Sequence, residues 1–426
     1  MSLPLSEVGM VGSIVRAVVI AVVLATASMG HALVAPAQAE IPAPQDDPFY
    51  SPPAGFEATE PGTVLRSRPV QLQFQAPVQS WQLLYRTTDF KGDPDATVTT
   101  VILPADVRPD RPVLSYQPPM DSPTTRCAPS YQLQAGVTPD MLMWTSIPLL
   151  TQALQKGWVV AVPDFEGPHG HYVVAKEPGY MSLDGIRAAE RFSPLGLAPD
   201  TRVGLLGYSG GSLPTVWAAE MQPGYAPELN LVGNAFGGTP AELEPVLLKL
   251  NGGPSSGLIA AVLASLSATY PERDDALHKY MAPEGLALID RAKSLCVMGA
   301  NMNAQFVDWQ RYVSLPIEQL LALPAVKAIL DENTLGTPAP TAPLLATEGL
   351  LDEIVPVEVS DRMVERLCAA GTPVTYLRDQ TADHVGMFAA SLMRDFAWLE
   401  QRLDGTPAPA GCSTQTVPSV ALMPPS

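Results

Sequence analysis

Three short apolar runs between residues 112 and 208 constrain the fold of this chain more than any other sequence feature. They are "PVLSYQ" (112–117), "WVVAVPDFEG" (158–167) and "RVGLLGY" (202–208), and turn-forming residues follow them. Continuous apolar runs of this length are typical of strands buried on both faces. Stretches with helical spacing lie between them, at 139–156 and 182–192. This alternation predicts an α/β fold with a mainly parallel sheet that helices cover on both faces.

Further strand-like runs lie on either side of this region. Residues 70–75 ("VQLQFQ") alternate polar and apolar side chains, and residues 96–104 ("ATVTTVILP") are rich in β-branched side chains. Both runs are therefore predicted to be strands. Two later strands are predicted at 342–349 and 373–379, followed by a closing helix at 387–403.

The stretch from 239 to 333 breaks this pattern, because it contains several helical segments and no convincing strand. Its most apolar part is "SGLIAAVLASLSATY" (256–270), which suits a helix of the insertion. We therefore expect a helical cap or lid at 240–335. It interrupts a core made of residues 63–239 and 336–404.

Two segments outside the core are rich in proline. Residues 40–62 lack periodicity and are expected to form an extended N-terminal arm that lies on the core. Residues 405–426 are expected to be a disordered C-terminal tail, except where Cys412 pins it.

Residues 1–39 have the features of a signal peptide. Arg16 precedes an apolar run at 17–29 that is too short to span a bilayer, and an A-x-A cleavage site ends at Ala39. Translation from Met10 instead of Met1 would give a signal of more usual length. We expect cleavage after Ala39, a mature chain without a transmembrane segment, and a location outside the cell or at its envelope.

The net charge of −18 argues against nucleic acid and against an anionic membrane surface as partners. The four cysteines are Cys127, Cys296, Cys368 and Cys412. An even number in an exported chain predicts two disulfides, for which three pairings are possible. The sequence contains no C-x-x-C pair, which argues against a structural zinc site or a redox motif.

The pattern G-x-S-x-G, which marks a nucleophilic serine on a strained turn, occurs twice. Ser209 in "GYSGG" follows a predicted buried strand and precedes a predicted helix, with Gly207 and Gly211 on its two sides. A nucleophile elbow needs that strand, turn and helix, because the turn exposes the hydroxyl at the edge of the sheet. Ser255 in "GPSSG" follows a predicted helix and an Asn-Gly turn, and is interpreted as part of a loop. Context therefore selects Ser209.

A serine nucleophile needs a histidine base and a carboxylate that orients the base. His384 is the one histidine outside the signal peptide that follows a late predicted strand, as the Ser…Asp/Glu…His order of this arrangement requires. The preceding loop, "TEGLLDEIVP", offers Glu348, Asp352 and Glu353 as the acid. Asp352 is preferred because it lies several residues beyond the strand. Asp383 is disfavoured because adjacent residues rarely aim their side chains at one another.

Two further features concern ligands. His169 and His171 lie near Asp164 and Glu166, but this spacing is a weak metal signal, so neither a metal nor a cofactor is expected. Asp164 is interpreted as structural. The backbone N–H of Gly210, directly after the nucleophile, is expected to be one oxyanion donor, and the loop after "PVLSYQ" is expected to supply the second.

The chain resembles the secretory lipase family of α/β-hydrolases. The resemblance is carried by "DSPTTRCAPSY", "MSLDGIRA", "GYSGGSLPTVWAAEM", "YAPELNLVG", "GGTP", "LNGGP", "DEIVP" and "ADH". It implies an α/β-hydrolase fold, a triad of Ser209, Asp352 and His384, and an oxyanion hole formed by the backbone N–H groups of Asp121 and Gly210. It also implies a helical lid over an acyl-binding tunnel. The implied disulfides are Cys127–Cys296 and Cys368–Cys412.

Together, the residues and the resemblance predict a secreted serine lipase that acts on acylglycerols without a cofactor and works at a lipid–water interface. A short-chain carboxylesterase or an acyltransferase would use the same residues, because these enzymes differ in acyl chain and acceptor rather than in the triad. An inactive lipid-binding envelope protein is the alternative from another class.

Overall fold

The computed structural model describes residues 41–74, 78–105, 110–271 and 275–423, so the predicted signal peptide lies outside the described residues. A ten-stranded sheet in the order β1-β2-β3-β5-β4-β6-β7-β8-β9-β10 forms the centre of the fold. The strands are β1 (Val64–Pro69), β2 (Val78–Thr88), β3 (Pro94–Pro104), β4 (Val113–Gln117), β5 (Val159–Pro163), β6 (Arg202–Tyr208), β7 (Asn230–Gly237), β8 (Leu344–Gly349), β9 (Val374–Asp379) and β10 (Cys412–Val417).

The seven strands from β5 to β10 in this order are parallel. The register of β4 against β6 runs from Val113 opposite Val203 to Gln117 opposite Gly207. Every residue of β4 and β5 is buried, as their continuous apolar sequences predict. The loops that follow these strands therefore meet at one edge of the sheet.

The N-terminal part of the sheet is antiparallel and corrects one prediction. Residues 70–74 do not form the expected strand, and only Leu72 makes an isolated bridge, with Gln134. The strand beside β3 is instead β2, which pairs with it over eleven residue pairs. Leu83, Leu84 and Tyr85 of β2 are completely buried, so this segment has the apolar surface that fixes its position in the sheet.

Helices cover both faces of the sheet. The helices are α1 (Pro129–Gln132), α2 (Met141–Gln155), α3 (Glu177–Arg191), α4 (Ser212–Tyr225), α5 (Leu243–Leu250), α6 (Gly257–Thr269), α7 (Asp275–Tyr280), α8 (Pro283–Ala292), α9 (Val297–Asn303), α10 (Ile317–Leu321), α11 (Pro324–Glu332), α12 (Val357–Ala369) and α13 (His384–Leu403). Apolar residues of α2 and α13 pack in one buried cluster against one face of the sheet. Apolar residues of α3 and α4 pack in a second cluster against the other face. The α/β class and the mainly parallel sheet are confirmed.

Helices α5–α11 occupy the stretch that is predicted to be the cap, and no strand lies among the described residues between 240 and 335. These helices and the segments between them line a cavity of about 170 Å³ that is partly open to solvent. The cavity is lined almost entirely by apolar side chains, including Ile259, Leu263, Leu277 and Trp309. Within the described ranges, no helix has the length and apolarity needed to cross a membrane.

The C-terminal segment corrects a second prediction. Residues 412–417 do not form a disordered tail, because they pair with β9 as the parallel edge strand β10. A disulfide from Cys368 to Cys412 fixes the start of that strand, and a second disulfide joins Cys127 to Cys296. These are the two pairings that the resemblance implies. At the other end of the core, Arg68 donates a hydrogen bond to Asp47 of the N-terminal arm (2.7 Å).

Candidate active site

Ser209 lies on a strained turn between β6 and α4. Its φ of 54° is left-handed, a conformation that costs a non-glycine residue about 1–2 kcal/mol. The neighbouring glycines leave no room for side chains. A Cβ on Gly207 would lie 2.0 Å from the carbonyl oxygen of Gly211, and a Cβ on Gly211 would lie 2.0 Å from that of Gln117. The close approach of these backbones keeps the serine in its turn.

A continuous chain of hydrogen bonds joins Ser209 to His384 and Asp352. Nε2 of His384 lies 2.8 Å from the Ser209 hydroxyl, and Nδ1 lies 2.6 Å from Oδ2 of Asp352. His384 and Asp352 are both buried, whereas Ser209 is half-buried. Because the imidazole contacts a hydroxyl on one side and a carboxylate on the other, it is placed to remove the serine proton.

Asp352 is held in place by its own loop. Its Oδ1 accepts hydrogen bonds from the backbone N–H groups of Ile354 (2.8 Å) and Val355 (2.7 Å). Burial acts to raise the pKa of Asp352, but the hydrogen bond to His384 and the charge of that ring outweigh it and leave the pKa below its usual value. Asp352 is therefore an anion over the pH range in which proteins usually work.

The backbone of His384 is fixed as firmly as its ring. Its N–H donates to Oε2 of Glu353 (3.1 Å), and its carbonyl oxygen accepts a hydrogen bond from the Tyr208 hydroxyl (2.8 Å). His384 is the first residue of α13, whose N-cap is Asp383. Asp383 accepts a hydrogen bond from Gly386 N–H and so serves the helix rather than the imidazole.

The segment after β4 brings Asp121 against Gly210. Asp121 has a left-handed φ of 48°, and its Oδ1 would lie 1.4 Å from a Cβ on Gly210. Ser122 N–H lies 3.4 Å from Oε2 of the buried Glu166, and the amide of Asp121 faces the same carboxyl group. Burial raises the pKa of Asp121 to about 7. Below that pH the carboxyl beside Gly210 carries a proton and no charge.

Comparison with known proteins identifies the family of this chain. The model of the family described as Secretory lipase matches residues 136–411, which is more than half of the chain. This chain belongs to the secretory lipase family. Its structure aligns with the closed state of Candida antarctica lipase A at a TM-score of 0.82 and 30% identity, over 88% of this chain and 89% of that one. The α/β-hydrolase fold that the resemblance implies is thereby confirmed.

Several secretory lipase relatives extend over most of the chain. Lipase A of Arthroderma benhamiae is 38% identical, over 89% of this chain and 84% of its own. A secreted triacylglycerol lipase of Malassezia globosa is 37% identical, over 90% of this chain and 86% of its own. A protein of Mycobacterium tuberculosis that is named a probable inactive lipase is 40% identical, over 85% of this chain and 83% of its own.

Asp164, Glu166 and His171, which follow β5 in this secretory lipase, make contacts within the fold. Asp164 accepts hydrogen bonds from the backbone N–H (2.8 Å) and the hydroxyl (2.5 Å) of Ser130. His171 contacts the buried Glu177 through Nδ1, at 2.8 Å. Within the described residues, no group of three or more histidine, cysteine or acidic side chains is arranged to hold a metal ion.

Sequence reasoning placed Glu166 only in a weak metal pattern and considered Glu348 only as an alternative to Asp352. The structure places Glu166 against the Asp121–Ser122 backbone and Glu348 against Asp352. Both carboxyl groups are buried. Their position in the sequence could have identified them as site residues. Each lies at or just after the carboxyl end of a buried strand, where functional residues of parallel sheets are usually found.

Proposed function

We propose that this protein is a secreted serine lipase that hydrolyses the carboxylic ester bonds of acylglycerols through an acyl-enzyme intermediate. The observation that carries the proposal is the hydrogen-bonded chain from Ser209 through His384 to Asp352, with the serine on a left-handed turn. The family and the names of the relatives support lipids as the substrate class.

In this proposal Ser209 Oγ attacks the ester carbonyl carbon while Nε2 of His384 takes the hydroxyl proton. The carbonyl π electrons move to the oxygen, which becomes the oxyanion of a tetrahedral intermediate. As that intermediate collapses, the bond to the leaving alcohol breaks and His384 returns the proton to the alcohol oxygen. Water then attacks the acyl-enzyme by the same sequence and releases the fatty acid. Asp352 holds the imidazole tautomer and balances its positive charge.

Gly210 and Asp121 are the proposed oxyanion donors. Gly210 directly follows the nucleophile, where a backbone N–H faces the developing charge in this fold. The Asp121 amide faces the Glu166 carboxyl in this structure, whereas the Asp121 carboxyl itself lies against Gly210. We therefore assign the Asp121 contribution to its protonated carboxyl, which acts together with the backbone N–H of Gly210.

The cap is proposed to receive the acyl chain. Its cavity is lined almost entirely by apolar side chains, which suits a hydrocarbon, and its lining lies wholly within the stretch 240–335. Domain limits follow the same reasoning: a signal peptide at 1–39, an arm at 40–62, core segments at 63–239 and 336–404, and a C-terminal segment at 405–426. Two disulfides are consistent with export to an oxidising compartment.

The test is hydrolysis of p-nitrophenyl esters from acetate to palmitate and of emulsified triacylglycerol, with Ser209→Ala and Ser255→Ala variants. We expect Ser209→Ala to lower kcat by about 10⁴-fold or more and Ser255→Ala to leave it unchanged, because only Ser209 contacts a histidine. Wild-type turnover by folded Ser209→Ala would contradict the proposal.

The same assay separates the alternatives. A preference for acetate with no activity on emulsion would make the protein a short-chain carboxylesterase, and faster transfer to an added alcohol than to water would make it an acyltransferase. The name of the Mycobacterium tuberculosis relative favours a third candidate, an inactive lipid-binding protein. Wild-type protein without turnover on any ester, but with saturable binding of fatty acid, would support that candidate.

A further inference from the structure

A second buried carboxyl group lies beside Asp352. Glu348, near the end of β8, is completely buried. Its Oε1 accepts a hydrogen bond from Gly349 N–H (3.1 Å), and its Oε2 accepts one from the hydroxyl of Ser360 on α12. The carboxyl group of Asp352, four residues further along the chain, is buried beside that of Glu348, and each carboxyl affects the protonation of the other. Glu348 is therefore in contact with the acid that orients the imidazole.

Two neighbouring buried carboxyl groups hold at least one proton between them, because two adjacent carboxylates repel each other and neither can donate a hydrogen bond. Burial and then the charge of Asp352 raise the pKa of Glu348 well above its usual value. The pKa of Asp352 is lowered, even though burial opposes this, because the contact with His384 outweighs burial. The shared proton therefore resides on Glu348, and the pair carries a single negative charge.

We propose that Glu348 is a positioning residue of the active site, whose protonated carboxyl donates a hydrogen bond to Asp352 and so fixes the carboxylate that orients His384. The inference rests on the proposed function, since it assigns His384 the role of base. It goes beyond the triad, because Glu348 acts through Asp352 and contacts neither the serine nor the substrate.

The hydrogen bonds to Asp352 show why such a donor is useful. Oδ1 accepts two backbone N–H groups and Oδ2 accepts His384 Nδ1–H. The Glu348 O–H supplies a fourth donor, which matches the roughly four acceptor positions of a carboxylate. A carboxylate with all its acceptor positions filled has one preferred orientation, so the imidazole it contacts also has one.

The charge of the pair matters as much as its geometry. When His384 takes the Ser209 proton, its single positive charge faces a pair of charge −1. If Glu348 lost its proton, the pair would carry −2 and would hold the imidazolium proton that has to return to the leaving alcohol.

The neighbours of Glu348 keep the proton in place. Tyr208 of β6 and Tyr376 of β9 lie near it, and burial raises the pKa of both hydroxyls, so both stay neutral. On α12, Ser360 offers a hydroxyl. The nearest cation on β9, Arg378, is paired with Asp361 at 3.2 Å. Asp352 is thus the charge that dominates the electrostatics of Glu348.

The proposal is tested with two variants. In Glu348→Leu the new side chain is similar in size but has no hydrogen-bond donor, whereas in Glu348→Gln the amide N–H₂ can still donate to Asp352. For Glu348→Leu we expect kcat to fall about 10- to 100-fold, the usual effect of losing a hydrogen bond to a charged group. The acidic limb of the kcat/KM profile should move to higher pH, because the unshared charge on Asp352 stabilises the imidazolium. Glu348→Gln should restore most of kcat and the wild-type acidic limb.

A second readout does not depend on turnover. The C2 proton of the His384 imidazole, followed by NMR against pH, should titrate at higher pH in Glu348→Leu than in wild type or Glu348→Gln. If wild-type protein hydrolyses no ester, the proposed function fails, but this titration still reports on Glu348. Ser360→Ala, which removes one contact of Glu348, should move the midpoint in the same direction by less, and it replaces the leucine variant if that variant does not fold.

Glu220 of α4 provides a matched control. Its carboxyl is also buried, it accepts a hydrogen bond from Gly336 N–H (2.6 Å), and burial raises its pKa to about 8. Glu220→Leu should lower Tm without moving the acidic limb. An unmoved limb in Glu348→Leu, with activity lost only in proportion to unfolded protein, would reduce Glu348 to a structural residue. A kcat as low in Glu348→Gln as in Glu348→Leu would overturn the role of its proton.

Discussion

The chain contains the same five-residue pattern in two places, and the two places differ in which residues make the essential contacts. In "GYSGG" the central Ser209 adopts a left-handed φ and contacts His384. In "GPSSG" the central Ser255 lies in a turn between α5 and α6, and the buried residue is its neighbour Ser256. Ser256 donates to the carbonyl oxygen of Ala304 (2.7 Å) and accepts from Val307 N–H (2.9 Å).

The difference shows that the glycines of this pattern do not have the same structural role in the two copies. Around Ser209 both glycines are required by backbones that approach to 2.0 Å of a Cβ position. Around Ser255 the first glycine, Gly253, has its nearest neighbour 3.3 Å from a Cβ position, whereas Gly257 packs 2.3 Å from the carbonyl oxygen of Asn301. The first copy fixes the hydroxyl that contacts His384, and the second fixes the start of α6.

Replacing a glycine is expected to give the largest difference in stability between the two copies of the pattern. A Cβ at Gly211 meets the Gln117 carbonyl, which belongs to a central strand and cannot move away, so Gly211→Ala should lower the unfolding free energy by about 3 kcal/mol or more. Gly253→Ala should change it by less than about 1 kcal/mol. Urea unfolding measures both. Equal losses in the two variants would mean that the two copies are under the same constraint.

A smaller effect separates the serines of the second copy. Ser256→Ala removes the hydroxyl that both groups contact and leaves only the long hydrogen bond from Val307 N–H to the Ala304 carbonyl (3.3 Å), so we expect a loss of about 1–3 kcal/mol of stability. Activity on a soluble ester should stay within a few-fold of wild type, since Ser256 lies in the cap. Ser255→Ala, the matched control, should cost less than about 0.5 kcal/mol. Thermal unfolding that ranks these two variants the other way would show that Ser255 is the anchored residue.

The smallest expected effect is on kcat and comes from Asp121, which lies beside the first copy of the pattern. Burial raises the pKa of Asp121 from 3.8 to about 7, so its carboxyl is neutral below that pH and negative above it. The negative form would repel an oxyanion beside Gly210, so kcat should decline by about 3- to 10-fold as pH rises from 6 to 9. Asp121→Asn should remove that decline, and a pH–rate profile checks it. A decline that persists unchanged in the variant would assign the alkaline limb to another group.

The same shift fixes the sign of the effect on stability. Between pH 3.8 and about 7 the folded protein holds a proton on Asp121 that the unfolded chain releases. The contribution of Asp121 to the unfolding free energy therefore falls as pH rises through this window. Comparing urea unfolding of wild type and Asp121→Asn at pH 5 and pH 8 should show the larger pH dependence in wild type.

The sequence predicted the parallel core well, because strands buried on both faces leave an unmistakable apolar run. It failed at the sheet edges for physical reasons. The segment 70–75 alternates like a strand, but β2 takes the place beside β3. The edge strand β10 has almost entirely exposed side chains, so its order comes from Cys368–Cys412 and from backbone pairing with β9, neither of which hydrophobicity reveals.

The residues of the candidate site could be predicted from the sequence better than the contacts between them. Strand order alone placed Ser209 and His384, since each follows the carboxyl end of a recognisable strand. The end of β8 and the loop after it carry three acids within six residues, and sequence spacing left open which of them meets the imidazole ring. The structure gives each a different contact: Asp352 with the ring, Glu353 with the backbone of His384, and Glu348 with Asp352.

The two disulfides divide the chain into covalent rings. Ser209 lies inside the ring that Cys127–Cys296 closes, His384 lies inside the smaller ring closed by Cys368–Cys412, and Asp352 lies on the single stretch of chain between them. A proteolytic nick within either ring leaves the molecule in one piece until it is reduced. A nick between residues 297 and 367 is different, because it leaves the serine and the histidine on fragments that no covalent bond connects.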